Sequence, residues 1–280
     1  MANKHQIVAQ EQTELERLIL NFHDISMRKF RNDFLPKPTF IGVGAGRCGT
    51  SALYAMLRSH PEVYLSPLKE VNFFGIRDKE SSQFGLTFSE YLNYFLGAAQ
   101  GQQIGEVSPA YLTYPLSLER IKYYLPNARL IITVRDPYER FVSQFKHHSD
   151  KHKINSLDKY AKEALSQYKA GWPNGKNWYA PVKNLYQSLY YEGIDFIYNN
   201  FEKENIIIIH QNDLSRNSSS VLQQICKFLG IEEIKIENRR TNMSDSAEVD
   251  LEITDSRKQQ LKDIFLENQI LLKKNYGIVF

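Results

Sequence analysis

The chain has 280 residues, 42% of them apolar, a net charge of +3 and two cysteines. That length holds one large domain or two small ones and buries a substantial core. The weak net charge excludes the broad basic field of a nucleic-acid binder, and two cysteines exclude a disulfide framework. No apolar run reaches the roughly 18 residues of a membrane span, and the first 30 residues lack the apolar stretch and small-residue cleavage site of a signal peptide. The free thiols Cys48 and Cys226 suit a reducing compartment, so a cytoplasmic location is expected.

Residues 1–35 read as a polar helical extension, with Leu15, Leu18, Ile19, Phe22, Ile25 and Met27 in a rough stripe. The stripe would pack on the body or on a second copy, which makes a homodimer one arrangement open to the chain. Pro36 and Pro38 end it, and residues 36–280 read as the main domain.

Residues 39–43 predict a short buried strand, and 50–59 a helix with Leu53, Met56 and Leu57 on one face. Between them Gly44, Gly46 and Gly49 make a glycine-rich loop. A strand, such a loop and a helix start make a phosphate cradle, with inward N–H groups and the positive helix end. The spacing resembles a Walker A loop, but Thr50 stands where that motif has lysine. Arg47 is the cation of the loop. The loop is therefore expected to hold an anionic group other than a magnesium nucleoside triphosphate. Gly46, Arg47, Cys48, Gly49, Thr50 and Ser51 are the candidate binding residues.

A return connection with a short strand covers 60–67. Lys69-Glu70 then precedes the apolar Val71 and the aromatics Phe73 and Phe74. An apolar flank would raise the Glu70 pKa toward that of a useful base. A solvated Lys–Glu pair is the equal alternative. A helix is expected at 89–96, a strand at 104–107, a helix at 117–124 and a second apolar strand at 128–134. Arg135-Asp136-Pro137 leaves the carboxyl end of that strand, where ligands of open α/β sheets bind. Ser143 follows eight residues later, about two turns along a helix at 138–148. The alternative for Arg135 is a salt bridge with Asp136 or Glu139; a strand ending directly in arginine favours a ligand.

Residues 149–184 are basic, polar and irregular, with a helix near 157–168 and Trp172 and Trp178 beside lysines, and read as a lid or acceptor-facing insertion. Helices are expected at 189–201, 221–229 and 254–275, with a third apolar strand at 206–209. Arg239 and Arg240 lie in a polar loop. Alternating strands and helices imply an α/β fold: a P-loop-like three-layer sandwich with a mainly parallel central sheet.

Three stretches together resemble the sulfotransferases that use 3′-phosphoadenosine-5′-phosphosulfate (PAPS), above all the heparan sulfate O- and N-sulfotransferase branch and its bacterial relatives. Gly-Ala-Gly-Arg-Cys-Gly-Thr-Ser at 44–51 is similar to the family's 5′-phosphosulfate loop. Val-Arg-Asp-Pro-Tyr-Glu-Arg-Phe-Val-Ser at 134–143 is similar to its 3′-phosphate motif. Lys-Glu-Val-Asn-Phe-Phe at 69–74 is similar to the stretch with the branch's catalytic glutamate. The chain departs from the pattern at Arg47, where the family usually has lysine, and at Val107, where the 3-O branch has lysine.

The resemblance implies in-line sulfuryl transfer from PAPS to a hydroxyl or amine, leaving PAP. Glu70 would be the general base and Arg47 would stabilise the leaving oxygen. Arg135 and Ser143 would hold the 3′-phosphate, and Arg239 and Arg240 would stand in for the basic loop that closes over the donor. It also implies that no metal is required and that the acceptor is a saccharide or another small hydroxylated molecule. The rival readings are a P-loop nucleotide kinase or NTPase and a non-catalytic carbohydrate-binding relative.

Overall fold

A computed structural model describes residues 35–75, 86–148, 154–168, 181–234 and 249–280. The N-terminal extension, Trp172, Trp178, Arg239 and Arg240 lie outside the described residues. In chain order the elements are β1 (Phe40–Gly44), α1 (Thr50–Arg58), β2 (Val63–Leu65), α2 (Phe88–Leu92) and β3 (Gln103–Val107). Next come α3 (Pro115–Tyr124), β4 (Arg129–Val134), α4 (Pro137–His147), α5 (Leu157–Tyr168) and α6 (Pro181–Tyr186). The chain ends with α7 (Tyr191–Asn200), β5 (Ile206–His210), α8 (Gln211–Arg216), α9 (Ser218–Leu229) and α10 (Asp255–Tyr276).

The strands form one five-stranded sheet in the order β2-β3-β1-β4-β5. Each pairing is parallel, with Phe40 opposite Gly105 on one side and Arg129 on the other. A parallel sheet needs cover on both faces, so its strands are apolar throughout. In β4 the side chains alternate: Leu130, Ile132 and Val134 enter one core and Ile131 the opposite one. Ile194 and Ile197 of α7 and Leu118 and Ile121 of α3 join the first core. Leu53 and Leu57 of α1, with Val221, Ile225 and Leu229 of α9, join the second. Helices thus sandwich the sheet, as the sequence pattern implied.

Helix boundaries differ from the sequence reading where local chemistry extends them. Thr87 caps α2 with a capping box to Glu90, so that helix starts one residue early, at Phe88, and tightens into a 3₁₀ turn over Asn93–Phe95. Pro115 and Pro137 occupy the first turns of α3 and α4, where proline forfeits no intrahelical bond. The short helices α6 and α8 were not anticipated, because a single six-residue helix spans too few turns to show a period.

Part of the expected insertion is core. Leu157, Tyr160, Ala161 and Ala164 of α5 are buried against Phe141 and Phe145 of α4, Leu185 of α6 and Phe265 of α10. The described half of 149–184 is therefore a structural layer beside α4.

Strand order reverses at β1, which has β3 on one side and β4 on the other. That is the switch point at which a crevice opens above the carboxyl edge. Gly44 permits the exit from β1: its φ is +126°, and a Cβ there would stand 2.2 Å from the carbonyl oxygen of Pro109. Gly44→Ala should therefore destabilise the fold by about 2 kcal/mol or more, read as a lower midpoint in urea; an unchanged midpoint would show that the backbone can move aside.

Candidate active site

The loop between β1 and α1 is anchored to β4 through Thr133. Ala45 N donates to Thr133 O at 2.7 Å, and Thr133 Oγ1 donates to Gly44 O at 3.3 Å. Gly49 takes a left-handed φ of 86° as the N-cap of α1, and no side chain caps the helix there. The first turn also carries no acid. Its leading amides lack intrahelical acceptors, so the helix start presents donors and positive potential to whatever enters the cradle.

Arg47 adopts a left-handed φ of 68°, uncommon outside glycine and found where a site constrains the backbone. Its Nε donates to Ser143 Oγ on α4 at 3.4 Å. The loop and α4, 96 residues apart in the chain, thus face one cleft. Burial lowers the Arg47 pKa from its ordinary value, and the charges of Arg140 and Arg135 lower it further, while Cys48 and Glu70 oppose them. Three guanidiniums therefore interact within one site.

Arg135 leaves the end of β4 and its Nε pairs with Glu139 Oε2 at 3.1 Å. Of the two carboxylates considered from sequence, Glu139 is the partner. Asp136 instead caps α4, its Oδ1 accepting from Glu139 N at 2.9 Å. The Arg135–Glu139 pair is an i,i+4 contact with Glu139 half exposed. Such a pair is worth roughly 0.5 kcal/mol or less, so a multiply charged anion would displace it readily. Arg135 also lines a cleft of about 230 Å³ between the ends of β4 and β5, with His210, Asp213 and Phe280.

Arg140 was not singled out from sequence. Its guanidinium is buried, 2% exposed, and donates to Gly46 O from Nε at 3.0 Å. It also donates to Asn184 O at 3.0 Å, Ser188 Oγ at 3.2 Å and Gln187 Oε1 at 3.1 Å, and to Asn184 Oδ1. The side chain ties the loop to α6 and the residues that follow it. The signal in the sequence was its place one turn before Ser143, on the same helix face.

The Cys48 side chain departs from the expectation. Its side chain is buried in the core and contacts Tyr190 Oη at 3.6 Å, so the thiol does not line the cradle. Burial pushes the thiol up to about 11, against the pull of the nearby arginines and the Tyr190 hydrogen bond, and keeps it protonated at neutral pH. Thr50 is buried at the first turn of α1, whereas the side chain of Ser51 is exposed.

The apolar flank expected around Glu70 is absent. Phe73 and Phe74 turn into the core, where Phe73 stacks on Tyr91 with centroids 4.5 Å apart. Glu70 has a left-handed φ of 64°, and its carboxylate faces out, 43% exposed and 3.0 Å from Lys69 Nζ. Asn72, also left-handed, donates from Nδ2 to Glu70 O at 3.1 Å. The Asn72 Oδ1 atom is buried with no hydrogen-bond partner.

A second glutamate was passed over. Glu106, in β3, is fully buried and accepts from Tyr91 Oη and Ser108 Oγ, each at 2.7 Å. Burial pushes its pKa up to about 7, outweighing the hydrogen bonds from Ser108, Tyr91 and Tyr111.

The family follows from comparison. The sulfotransferase domain model matches residues 37–274. The chain belongs to the sulfotransferase family. It is 25% identical to the membrane-associated sulfotransferase kil1 of Dictyostelium discoideum, across 70% of this chain and 57% of that protein. It is 27% identical to human carbohydrate sulfotransferase 15, across 69% of this chain and 44% of that protein. It is 29% identical to mouse heparan sulfate glucosamine 3-O-sulfotransferase 5, across 70% and 54%. The chain thus matches about half the length of these relatives. The fold superposes on a sulfotransferase crystal structure from Alicyclobacillus acidocaldarius with a TM-score of 0.70 at 22% identity, covering 88% of this chain and 98% of that one. Membership in this family displaces the kinase reading and agrees with Thr50 in the lysine position. Among the described residues no cluster of metal-ligating side chains occurs, and no helix is long and apolar enough to cross a membrane.

The Glu106 pKa has a measurable consequence. A carboxyl that titrates near 7 when folded, against an ordinary 4.5, keeps its proton in the fold where the unfolded chain has released it. Its contribution to stability therefore falls as pH rises from about 5 to 7 and is flat above about 8, a change on the order of 3 kcal/mol. Glu106→Gln removes that titration. Urea unfolding at pH 5 and pH 8 should show wild type losing stability relative to the variant at the higher pH; a constant difference would contradict the shifted carboxyl.

Proposed function

We propose that the protein transfers a sulfuryl group from PAPS to a hydroxyl or amine of a saccharide acceptor, with Glu70 as general base. The observation that carries this reading is the Arg47–Ser143 contact beside Arg135. It supports a single cleft in which the glycine-rich loop and the start of α4 take two anionic ends of one ligand.

The residues fit such a donor. The start of α1 carries no acid and no side-chain cap, and Arg140 and Arg135 both lie within electrostatic reach of Arg47. PAPS supplies the sulfuryl group. Amides of the loop and of Thr50 and Ser51 would hold its 5′ side, and Arg135 and Ser143 its 3′-phosphate. Arg47 would stabilise charge that grows on the leaving oxygen; fixed donors of this kind act without reorganising. Arginine offers a planar fork where the family usually has an ammonium, which suits two oxygens of one group.

Glu70 would accept the acceptor's proton. Its exposure suits that role, since an incoming hydroxyl must reach it, and the left-handed backbone aims it out of the core. Lys69, whose Nζ donates to Glu70 Oε1 at 3.0 Å, orients the carboxylate. The saccharide class rests on relatives named for carbohydrate and heparan sulfate acceptors. The two free, buried cysteines agree with a cytoplasmic setting, which is part of the same proposal.

With radiolabelled PAPS and desulfated heparan sulfate, Glu70→Gln should lower turnover by about a hundredfold and leave PAP affinity within a factor of about two. Unchanged turnover would remove Glu70 from the role. In calorimetry, Arg135→Ala should weaken PAP binding by about tenfold or more and barely alter binding of adenosine 5′-monophosphate, which lacks the 3′-phosphate; equal losses would contradict the assignment.

A further inference from the structure

The segment 70–75 carries Glu70, forms no regular element and has two left-handed residues, Glu70 and Asn72. Its backbone needs partners from elsewhere in the fold. They come from β3 and the turn that follows it. Asn72 N donates to Ser108 Oγ at 3.1 Å, and Phe74 N donates to Tyr111 Oη at 3.3 Å. On the opposite side Arg120 of α3 donates from Nη1 to Gly75 O at 2.8 Å and from Nη2 to Phe73 O at 2.9 Å.

Both hydroxyls that receive those amides have a further obligation. Ser108 Oγ donates to Glu106 Oε2 at 2.7 Å, and Tyr111 Oη donates to Glu106 Oε1 at 3.2 Å. A hydroxyl has one proton and two lone pairs. Once its proton is directed at the carboxylate, only lone pairs remain to face outward. In its ionised form, above a pH of about 7, Glu106 therefore sets both hydroxyls as acceptors, which is what Asn72 N–H and Phe74 N–H require. Among the described residues Glu106 meets hydroxyls, with no cation paired to it. Burying a carboxylate this way is unfavourable, and an apolar side chain would fill the strand position more cheaply. What the carboxylate adds is the orientation of the two hydroxyls.

We propose that Glu106 is a positioning residue for the reaction: through Ser108 and Tyr111 it fixes the backbone at 72 and 74, and so the direction of Glu70. The proposal rests on the reading of Glu70 as the base. Glu106 touches neither donor nor acceptor; it is wholly buried and acts through the segment.

The test uses the full chain, with Glu106→Gln, Ser108→Ala, Ser108→Thr, Tyr111→Phe and Glu70→Gln. Turnover is measured with PAPS and desulfated heparan sulfate, PAP affinity by calorimetry, and amide exchange over 70–75 by mass spectrometry. Glu106→Gln, Ser108→Ala and Tyr111→Phe should each lower kcat by about tenfold or more, the loss expected when a base is misaimed by about an ångström. KM for PAPS and PAP affinity should stay within about twofold of the parent. Exchange at 70–75 should quicken while β1 stays protected. Ser108→Thr, which keeps the hydroxyl, should restore kcat. Adding Glu70→Gln to Ser108→Ala should lower the rate no further than Glu70→Gln alone. If Glu70→Gln is crippled while Glu106→Gln, Ser108→Ala and Tyr111→Phe remain within twofold of the parent, the positioning role is overturned and the base survives. A fully active Glu70→Gln overturns the base and this proposal together.

Discussion

The geometry of the site depends on one buried cation. Arg140 has almost no access to solvent, and its guanidinium spreads across the Gly46 carbonyl and acceptors on Asn184, Gln187 and Ser188. A buried guanidinium is tolerated only where its donors are satisfied. Here carbonyl and amide oxygens and a hydroxyl satisfy it, and their positions are dictated by the fold. The glycine-rich loop is held by the Arg140 side chain at Gly46 and by Thr133 of β4 at Gly44 and Ala45.

The same arrangement concentrates positive charge. Arg140 and Arg135 both depress Arg47, beyond the effect of burial. Like charges held together in a poorly hydrated cleft raise the energy of the empty site, and an anion with several oxygens relieves it. A weak, half-exposed contact such as Arg135–Glu139 is the kind of pairing that yields to such a ligand. Fold and electrostatics thus favour a multiply charged ligand at the point where β1 and β4 diverge.

Two glutamates show how tertiary context divides roles. Glu70 and Glu106 are the same residue type, each beside apolar neighbours in sequence. One is exposed on a left-handed backbone beside a lysine; the other is sealed beneath it among three hydroxyls. The segment between Val71 and Gly75 connects them, with Phe73 and Phe74 serving the core rather than the carboxylate of Glu70.

The sheet, the order of its strands' appearance and the cradle were legible in the chain itself. Continuous apolar runs mark strands buried on both faces, and glycines at 44, 46 and 49 mark a loop between strand and helix. The places of Arg135 and Ser143 in the fold were readable, because an apolar strand ends directly before one and the following helix carries the other two turns later. Local patterns cannot report what long-range packing decides. The inward turn of Cys48, the outward turn of Glu70 and the pairing of Arg135 with Glu139 depend on backbone angles and neighbours far along the chain. Arg140 and Glu106 look in sequence like ordinary charged residues of a helix and a strand. Only the packing of α4 against the loop, and of β3 beneath residues 70–75, buries them and gives them partners that a linear reading does not contain.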